Sequence, residues 1–257
     1  MPNSLTELSN SQLMRYSRHI MLPSVDIDGQ TALWQARVLV IGIGGLGCSA
    51  AQYLVASGVG EVTLVDDDSV EIHNLQRQIL HFEQHIGLSK TDSAKRVLGQ
   101  INSEVQINTI NHRLDGEELN QLVSEHDIVL DCTDNLLSRD QLNRACFTTK
   151  TPLVSGAAIR FEGQVSVFTM NANTPCYECL SMLFSEPAAS CSESGVLSPI
   201  VGIVGSIQAT ETIKVLAGIG KPLTGQLLLI DGMAMSFTSM KIPVSESCKT
   251  CQGIGQL

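Results

Sequence analysis

The sequence predicts an α/β protein: a Rossmann-like, doubly wound, mostly parallel sheet that antiparallel strands continue in the C-terminal half. Three observations carry this expectation. Between residues 37 and 156 short apolar runs alternate with segments of helical period, the grammar of strand–helix–strand crossovers. A glycine-rich turn, Gly42-Ile43-Gly44-Gly45-Leu46-Gly47, follows the first of those runs and opens a helix. Beyond Ile159 strand-like runs succeed one another with one convincing helix among them.

The elements follow in order. Ser9, with Gln12 three residues on, reads as a capping box opening a helix on which Leu13, Tyr16 and Ile20 recur at helical spacing, with Arg15 and Arg18 on another face. A link containing Gly and Asp leads to a strand over 37–41, apolar enough to be buried on both faces. Helix 48–57, strand 61–66, helix 89–101, strand 105–110, helix 117–124, strand 127–131, helix 136–149 and strand 153–156 come next. The second half supplies strands at 163–169, 226–231 and 234–243 and a helix at 199–217. With no Pro/Ser linker or charge run between the halves, one continuous domain over 1–257 is expected. Its parts are a helical arm (1–36), a nucleotide-binding half (37–158) and a mixed-strand half (159–257).

Composition narrows the function. A chain of 257 residues, 43% apolar, buries a proper core, which excludes disorder and a disulfide-stapled miniprotein. Sixteen basic against 26 acidic side chains leave a charge of −10, so neither nucleic acid nor a membrane surface is an expected partner. The first twenty residues lack a secretory signal, and the uncharged stretch 38–60 is interrupted by glycines rather than built as a span. A cytoplasmic location is expected.

Several residues point to chemistry. Glycines 42, 44, 45 and 47 let the backbone approach a phosphate at a helix N-terminus, and Asp66 ends the next strand at the spacing of a ribose-binding carboxylate. A strand-to-helix turn without ligand is the alternative. Asn74, Gln76 and Arg77, followed by Lys90 at a helix start, supply amides and two cations suited to a polyphosphate, which a dinucleotide-binding dehydrogenase does not need. Asp134 and Asn135 close the fourth strand, where Asp134 is placed to organise magnesium or else to cap the helix that follows. Cys176-Tyr-Glu-Cys179 and Cys248-Lys-Thr-Cys251, 68 residues apart, match a structural tetrahedral zinc site, with disulfides inside the pairs as the rival reading. Cys48, Cys132 and Cys146 sit among apolar residues and read as core; His73, His81 and His85 receive no role.

Taken together, Arg15 to Arg18, Gly42 to Gly47, Asp66, Asn74 to Arg77, Lys90, Asp131 to Asn135, Ser155-Gly156-Ala157 and the two cysteine pairs resemble the adenylyltransferases of ubiquitin-like sulfur carriers in molybdopterin and thiamine biosynthesis. The resemblance covers nearly the whole chain in order. It implies ATP-dependent adenylylation of the C-terminal glycine carboxylate of such a carrier, ending in Gly-Gly, with release of pyrophosphate. The molybdenum-cofactor branch is preferred over the thiamine branch. It further implies nucleotide binding by the glycine loop and Asp66, phosphate binding by Asn74, Arg77 and Lys90, magnesium at Asp134, and a homodimer in which Arg18 reaches the partner's ATP. Some members react through a cysteine, and Cys191 stands where such a thiol would be sought, though no neighbouring cation lowers its pKa. The chain closes soon after Cys251, so a separate sulfur donor is expected. An NAD-dependent dehydrogenase and a zinc-ribbon binding module are the readings from other classes.

Overall fold

The computed structural model describes residues 7–184 and 194–252. Eight strands form one sheet in the order β3-β2-β1-β4-β5-β6-β7-β8. They are β1 (Arg37–Ile41), β2 (Glu61–Val65), β3 (Gln106–Ile110), β4 (Ile128–Asp131), β5 (Leu153–Ile159), β6 (Glu162–Phe168), β7 (Gln226–Asp231) and β8 (Ser236–Lys241). Neighbours from β3 to β5 pair parallel; β5 through β8 pair antiparallel, as the change of grammar after Ile159 predicts. The chain crosses from β3 to β4 over the sheet, so the strand order reverses between β1 and β4. Outside the carboxyl ends of those two strands lies the crevice where open α/β sheets bind ligands.

Nine α-helices are described: α1 (Asn10–Arg15), α2 (Ser17–Ile20), α3 (Asp26–Gln35), α4 (Gly45–Ala56), α5 (Lys90–Ile101), α6 (Gly116–Ser124), α7 (Leu136–Thr149), α8 (Tyr177–Ser181) and α9 (Ser198–Ala217). Two apolar cores result. Val38, Val40, Leu54, Val62, Leu98 and Val204 fill one face of the sheet, under α4, α5 and α9. Leu39, Val129, Leu142, Leu153 and Phe168 fill the other, under α6 and α7. Alternation along β1 sends successive side chains to opposite cores, and for that reason its run is apolar throughout. By length and composition alone α9 could cross a membrane. Here it lies against α4 and β5 with Ile200, Val201, Val204 and Gln208 buried.

Three differences from the sequence-based expectation have physical causes. The single N-terminal helix is two: the capping box forms, with the Gln12 N–H donating to Ser9 Oγ (3.3 Å) and the Ser9 N–H to Gln12 Oε1 (2.9 Å). The helix then breaks at Tyr16, which is pulled inward until Asn102 Nδ2 donates to its hydroxyl at 2.8 Å. The expected link before β1 is helix α3; its Asp and Gly have low helix propensity, but burial of Leu33, Gly29 and Gln30 holds it, with Gln30 Nε2 donating to the Ser57 carbonyl (2.9 Å). The helix after the glycine turn begins at Gly45 rather than residue 48, so half of the glycine motif already belongs to its first turn.

Candidate active site

A cavity of about 1150 Å³ opens at the carboxyl ends of β1, β2 and β4. Gly42, at φ +91°, turns the chain out of β1; a Cβ there would come within 2.8 Å of the Cys132 carbonyl oxygen. Gly47 lets the first turn of α4 lie against that same bend, because its Cβ would run into the Gly42 carbonyl oxygen. The unpaired N–H groups of α4 are thereby aimed at the cavity mouth.

Asp66 sits at the exit of β2. Its Oδ2 accepts from the Ile43 N–H (2.7 Å) and its Oδ1 from the Asp68 N–H (2.9 Å), so one carboxylate fixes the glycine loop and the turn after β2. Burial pushes this carboxyl above its ordinary range, against the pull of the Lys90 charge and the two amides. Lys90, 6% exposed at the first position of α5, donates to Asp68 Oδ2 (2.7 Å) and lies 3.9 Å from Asp66 Oδ1. Across the cavity wall Arg77 donates to the His73 carbonyl (3.1 Å), and Asn74 accepts from the Glu71 N–H (3.0 Å) through its side chain.

On the β4 side, Asn135 caps α7 by accepting from the Ser138 N–H (2.9 Å), which removes the capping alternative for Asp134 and leaves its exposed carboxylate at the cavity. Asp131 is wholly buried. Its Oδ1 accepts from the Thr133 N–H and hydroxyl (3.0 and 2.7 Å) and its Oδ2 from the Ser155 hydroxyl (2.8 Å).

Of the residues singled out from sequence, Gly42, Gly44, Gly45, Asp66, Asn74, Arg77, Lys90, Asp134 and Asn135 line this one cavity. Gln76 is exposed and away from it, with its backbone carbonyl accepting from the Ser198 hydroxyl; Gln78, two residues on, lines the wall, and its Oε1 is buried without a hydrogen-bond partner. Gly47 serves packing behind the loop. Arg18 is exposed on α2, and its guanidinium meets Met21 Sδ at 3.8 Å rather than this chain's cavity. Sequence reasoning missed Arg139. Only 6% exposed, it lines the cavity, lies 3.8 Å from Asp131 Oδ2, and donates to the carbonyls of Thr133 (2.5 Å) and Gly156 (3.0 Å).

The cysteine pairs converge. The sulfurs of Cys176, Cys179, Cys248 and Cys251 all lie within 4.8 Å of one another, with Cys176–Cys248 and Cys179–Cys251 at 3.5 Å. A disulfide requires about 2.05 Å, whereas four sulfurs around a metal at about 2.3 Å stand about 3.8 Å apart. Burial and the neighbouring sulfurs push the thiols of Cys248 and Cys251 upward, whereas hydrogen bonds pull that of Cys179 down against its burial; four thiolates packed this closely repel one another and need a cation among them. The set fits zinc. Cys48, Cys132 and Cys146 are buried, and burial raises their thiols, that of Cys48 to about 12, as befits core side chains. Cys191 lies outside the described residues.

A glycine-loop cavity at the switch point of a doubly wound sheet, with Arg77, Lys90, Arg113 and Arg139 on its wall, defines a nucleotide-binding α/β protein. The chain belongs to the ThiF family, whose model matches residues 16–251. It is 51% identical over 247 residues to the molybdopterin-synthase adenylyltransferase of Escherichia coli strain K12, covering 96% of this chain and 99% of that one. It is 54% identical to the protein of the same name from Haemophilus influenzae (94% and 99% covered) and 42% identical to the sulfur carrier protein ThiS adenylyltransferase of E. coli (96% and 98%). Among solved structures, E. coli MccB with ATP shares the fold at a TM-score of 0.79 and 24% identity, over 95% of this chain and 75% of that one.

Proposed function

We propose that this protein adenylylates the C-terminal glycine carboxylate of a ubiquitin-like sulfur carrier, consuming ATP and releasing pyrophosphate, in molybdenum-cofactor biosynthesis. One observation carries the reading: Asn74, Arg77, Lys90 and Asp134 come together on the glycine-loop cavity of a chain half identical to molybdopterin-synthase adenylyltransferases. The higher identity to those proteins than to the ThiS adenylyltransferase favours the molybdopterin branch.

In this reading the backbone N–H groups at the start of α4 receive the phosphates and Asp66 accepts from the ribose hydroxyls. Arg77 and Lys90 face the triphosphate. A carrier carboxylate oxygen attacks the α-phosphorus, the bond from that phosphorus to the oxygen bridging to the β-phosphorus breaks, and pyrophosphate leaves. The carboxylate is ionised at neutral pH, so no proton has to move and no general base is needed. The obstacle is repulsion between two anions, and fixed cations in a confined crevice lower it by positioning and charge neutralisation. Lys90 is held ready by Asp68 and Asp66, whose partnership it can exchange for phosphate oxygens. Magnesium, held by Asp134 when bound, would add charge neutralisation at the phosphates; zinc at the four cysteines would join the C-terminal segment to α8 without an open position for substrate.

Arg18 belongs, in this reading, to the pocket of a second copy. It is exposed on an arm that also exposes Met14, Met21, Leu22 and Ile27, a surface suited to burial in a homodimer.

The test is exchange of labelled pyrophosphate into ATP. Exchange should require a carrier ending in Gly-Gly, and a carrier shortened by its last glycine should not support it. Competition between carriers of the two branches should favour the molybdopterin carrier. Exchange without any carrier would refute the reading.

A further inference from the structure

The cysteine cluster and the nucleotide cavity are joined by a continuous set of side-chain contacts along one face of α7. Asn143, 1% exposed, accepts from the Tyr177 N–H through Oδ1 (2.9 Å) and donates from Nδ2 to Cys176 Sγ (3.5 Å), so it holds both the first cysteine and the first turn of α8. One helical turn earlier on the same buried face, the Arg139 guanidinium stands 5.9 Å from the centroid of the Tyr177 ring. Arg139 then grips the carbonyls of Thr133 and Gly156 at the cavity. Thr133 immediately precedes Asp134, and Arg139 and Tyr177 themselves line the wall.

Arg139 has little free charge to offer a phosphate. It is compensated by Asp131, which is itself bound by Thr133 and Ser155. Burial works against its cationic form, and the Asp131 carboxylate, together with Tyr177 and Cys132, more than restores it. A buried, paired guanidinium that holds two backbone carbonyls fixes geometry; it does not gather anions.

We propose that Asn143 and Arg139 are positioning residues that couple occupancy of the cysteine cluster to the shape of the nucleotide cavity. The proposal rests on the adenylyltransferase reading of the cavity. Because binding coupling is reciprocal, nucleotide in the cavity raises the cluster's affinity for metal as metal in the cluster favours nucleotide; since Asn143 holds Cys176 directly, that affinity is expressed as slower loss of metal.

The experiment times zinc release from the intact protein to a chromogenic chelator, with and without magnesium and α,β-methylene-ATP, while nucleotide binding is read separately by equilibrium dialysis. In the unaltered protein, saturating nucleotide should slow release about fivefold. Asn143→Ala, which frees the Tyr177 amide, and Arg139→Lys, which keeps a charge beside Asp131 but loses the two-carbonyl grip, should each cut that slowing to less than about twofold. A role in stability alone would speed release equally with and without nucleotide and leave the ratio untouched. The proposal is overturned if bound nucleotide leaves the release rate of the unaltered protein unchanged, if both variants keep the full slowing, or if the purified protein carries no metal at the cluster. Should one variant fail to fold, the other decides the residue assignment; should both fail, Asn143→Asp, which keeps the acceptor for the Tyr177 N–H and loses the donor to Cys176, replaces them. Loss of carrier-dependent exchange with nucleotide binding intact would count against the enzymatic reading and not against the coupling.

Discussion

His81 packs behind the glycine loop. It is buried, its Nε2 lies 3.2 Å from the Ile43 carbonyl and its Nδ1 2.8 Å from Ser93 Oγ, which also meets His85 Nδ1 at 2.8 Å. A carbonyl only accepts, so His81 donates from Nε2 and takes the Ser93 proton at Nδ1; His85 must then donate from Nδ1 to the same hydroxyl. Burial lowers the His81 pKa to about 4. The unfolded chain therefore binds the extra proton first, and stability that is complete above pH about 6.5 drains away as pH falls toward 4. Urea midpoints measured from pH 7 to pH 4 should decline, and His81→Gln, which keeps a donor for Ile43, should flatten that decline. An unchanged slope in the variant would place the acid sensitivity elsewhere. That the glycine loop, Asp66, Arg77 and Lys90 would share one cavity was legible in the sequence because the loop and Asp66 stand at strand ends, with Arg77 and Lys90 in the segment that follows. Gln78 was not, since the turn after Asn74 has no period from which to tell whether Gln76 or Gln78 faces inward. Arg139 was hidden because its partners, Asp131 and Gly156, are joined to it only by the folded sheet.

Among the elements, α9 and α4 form the tightest pairing, and it turns on Gly205. A Cβ at that position would run into the Leu46 carbonyl oxygen and stand 2.8 Å from Ser49 Cβ. Helix propensity alone favours alanine over glycine by about 1 kcal/mol, whereas overpacking costs about 1–3 kcal/mol. Packing should win. Gly205→Ala should lower unfolding free energy by about 1 kcal/mol or more in urea titrations, and a stabilised variant would show that the helices do not meet this closely. The order and type of strands were readable from apolar runs and their spacing. Tertiary burial decided what was not: Tyr16 splits the N-terminal helix, and Leu33 with Gln30 sustains α3 despite Asp and Gly in its sequence.

For the whole molecule, a formal charge of −10 surrounds a cavity that presents Arg77 and Lys90, and the four cysteines tie the C-terminal segment to α8. Treating the protein with a strong chelator should lower the melting temperature by about 10 °C, because a structural zinc at such a cluster contributes several kcal/mol and each is worth about 2–4 °C at this size. An unchanged transition would deny the cluster its structural part. Arg77 and Lys90, held in place inside an acidic protein, would let a carboxylate approach a triphosphate, and carrier-dependent pyrophosphate–ATP exchange in Arg77→Ala and Lys90→Ala reads this. Each substitution should reduce exchange at least about 100-fold; Arg77→Ala should leave the unfolding transition in place, whereas Lys90→Ala, which strips the buried Asp66 carboxylate of its nearby cation, should lower it as well. Exchange within about twofold of the unaltered protein in both variants would contradict that role.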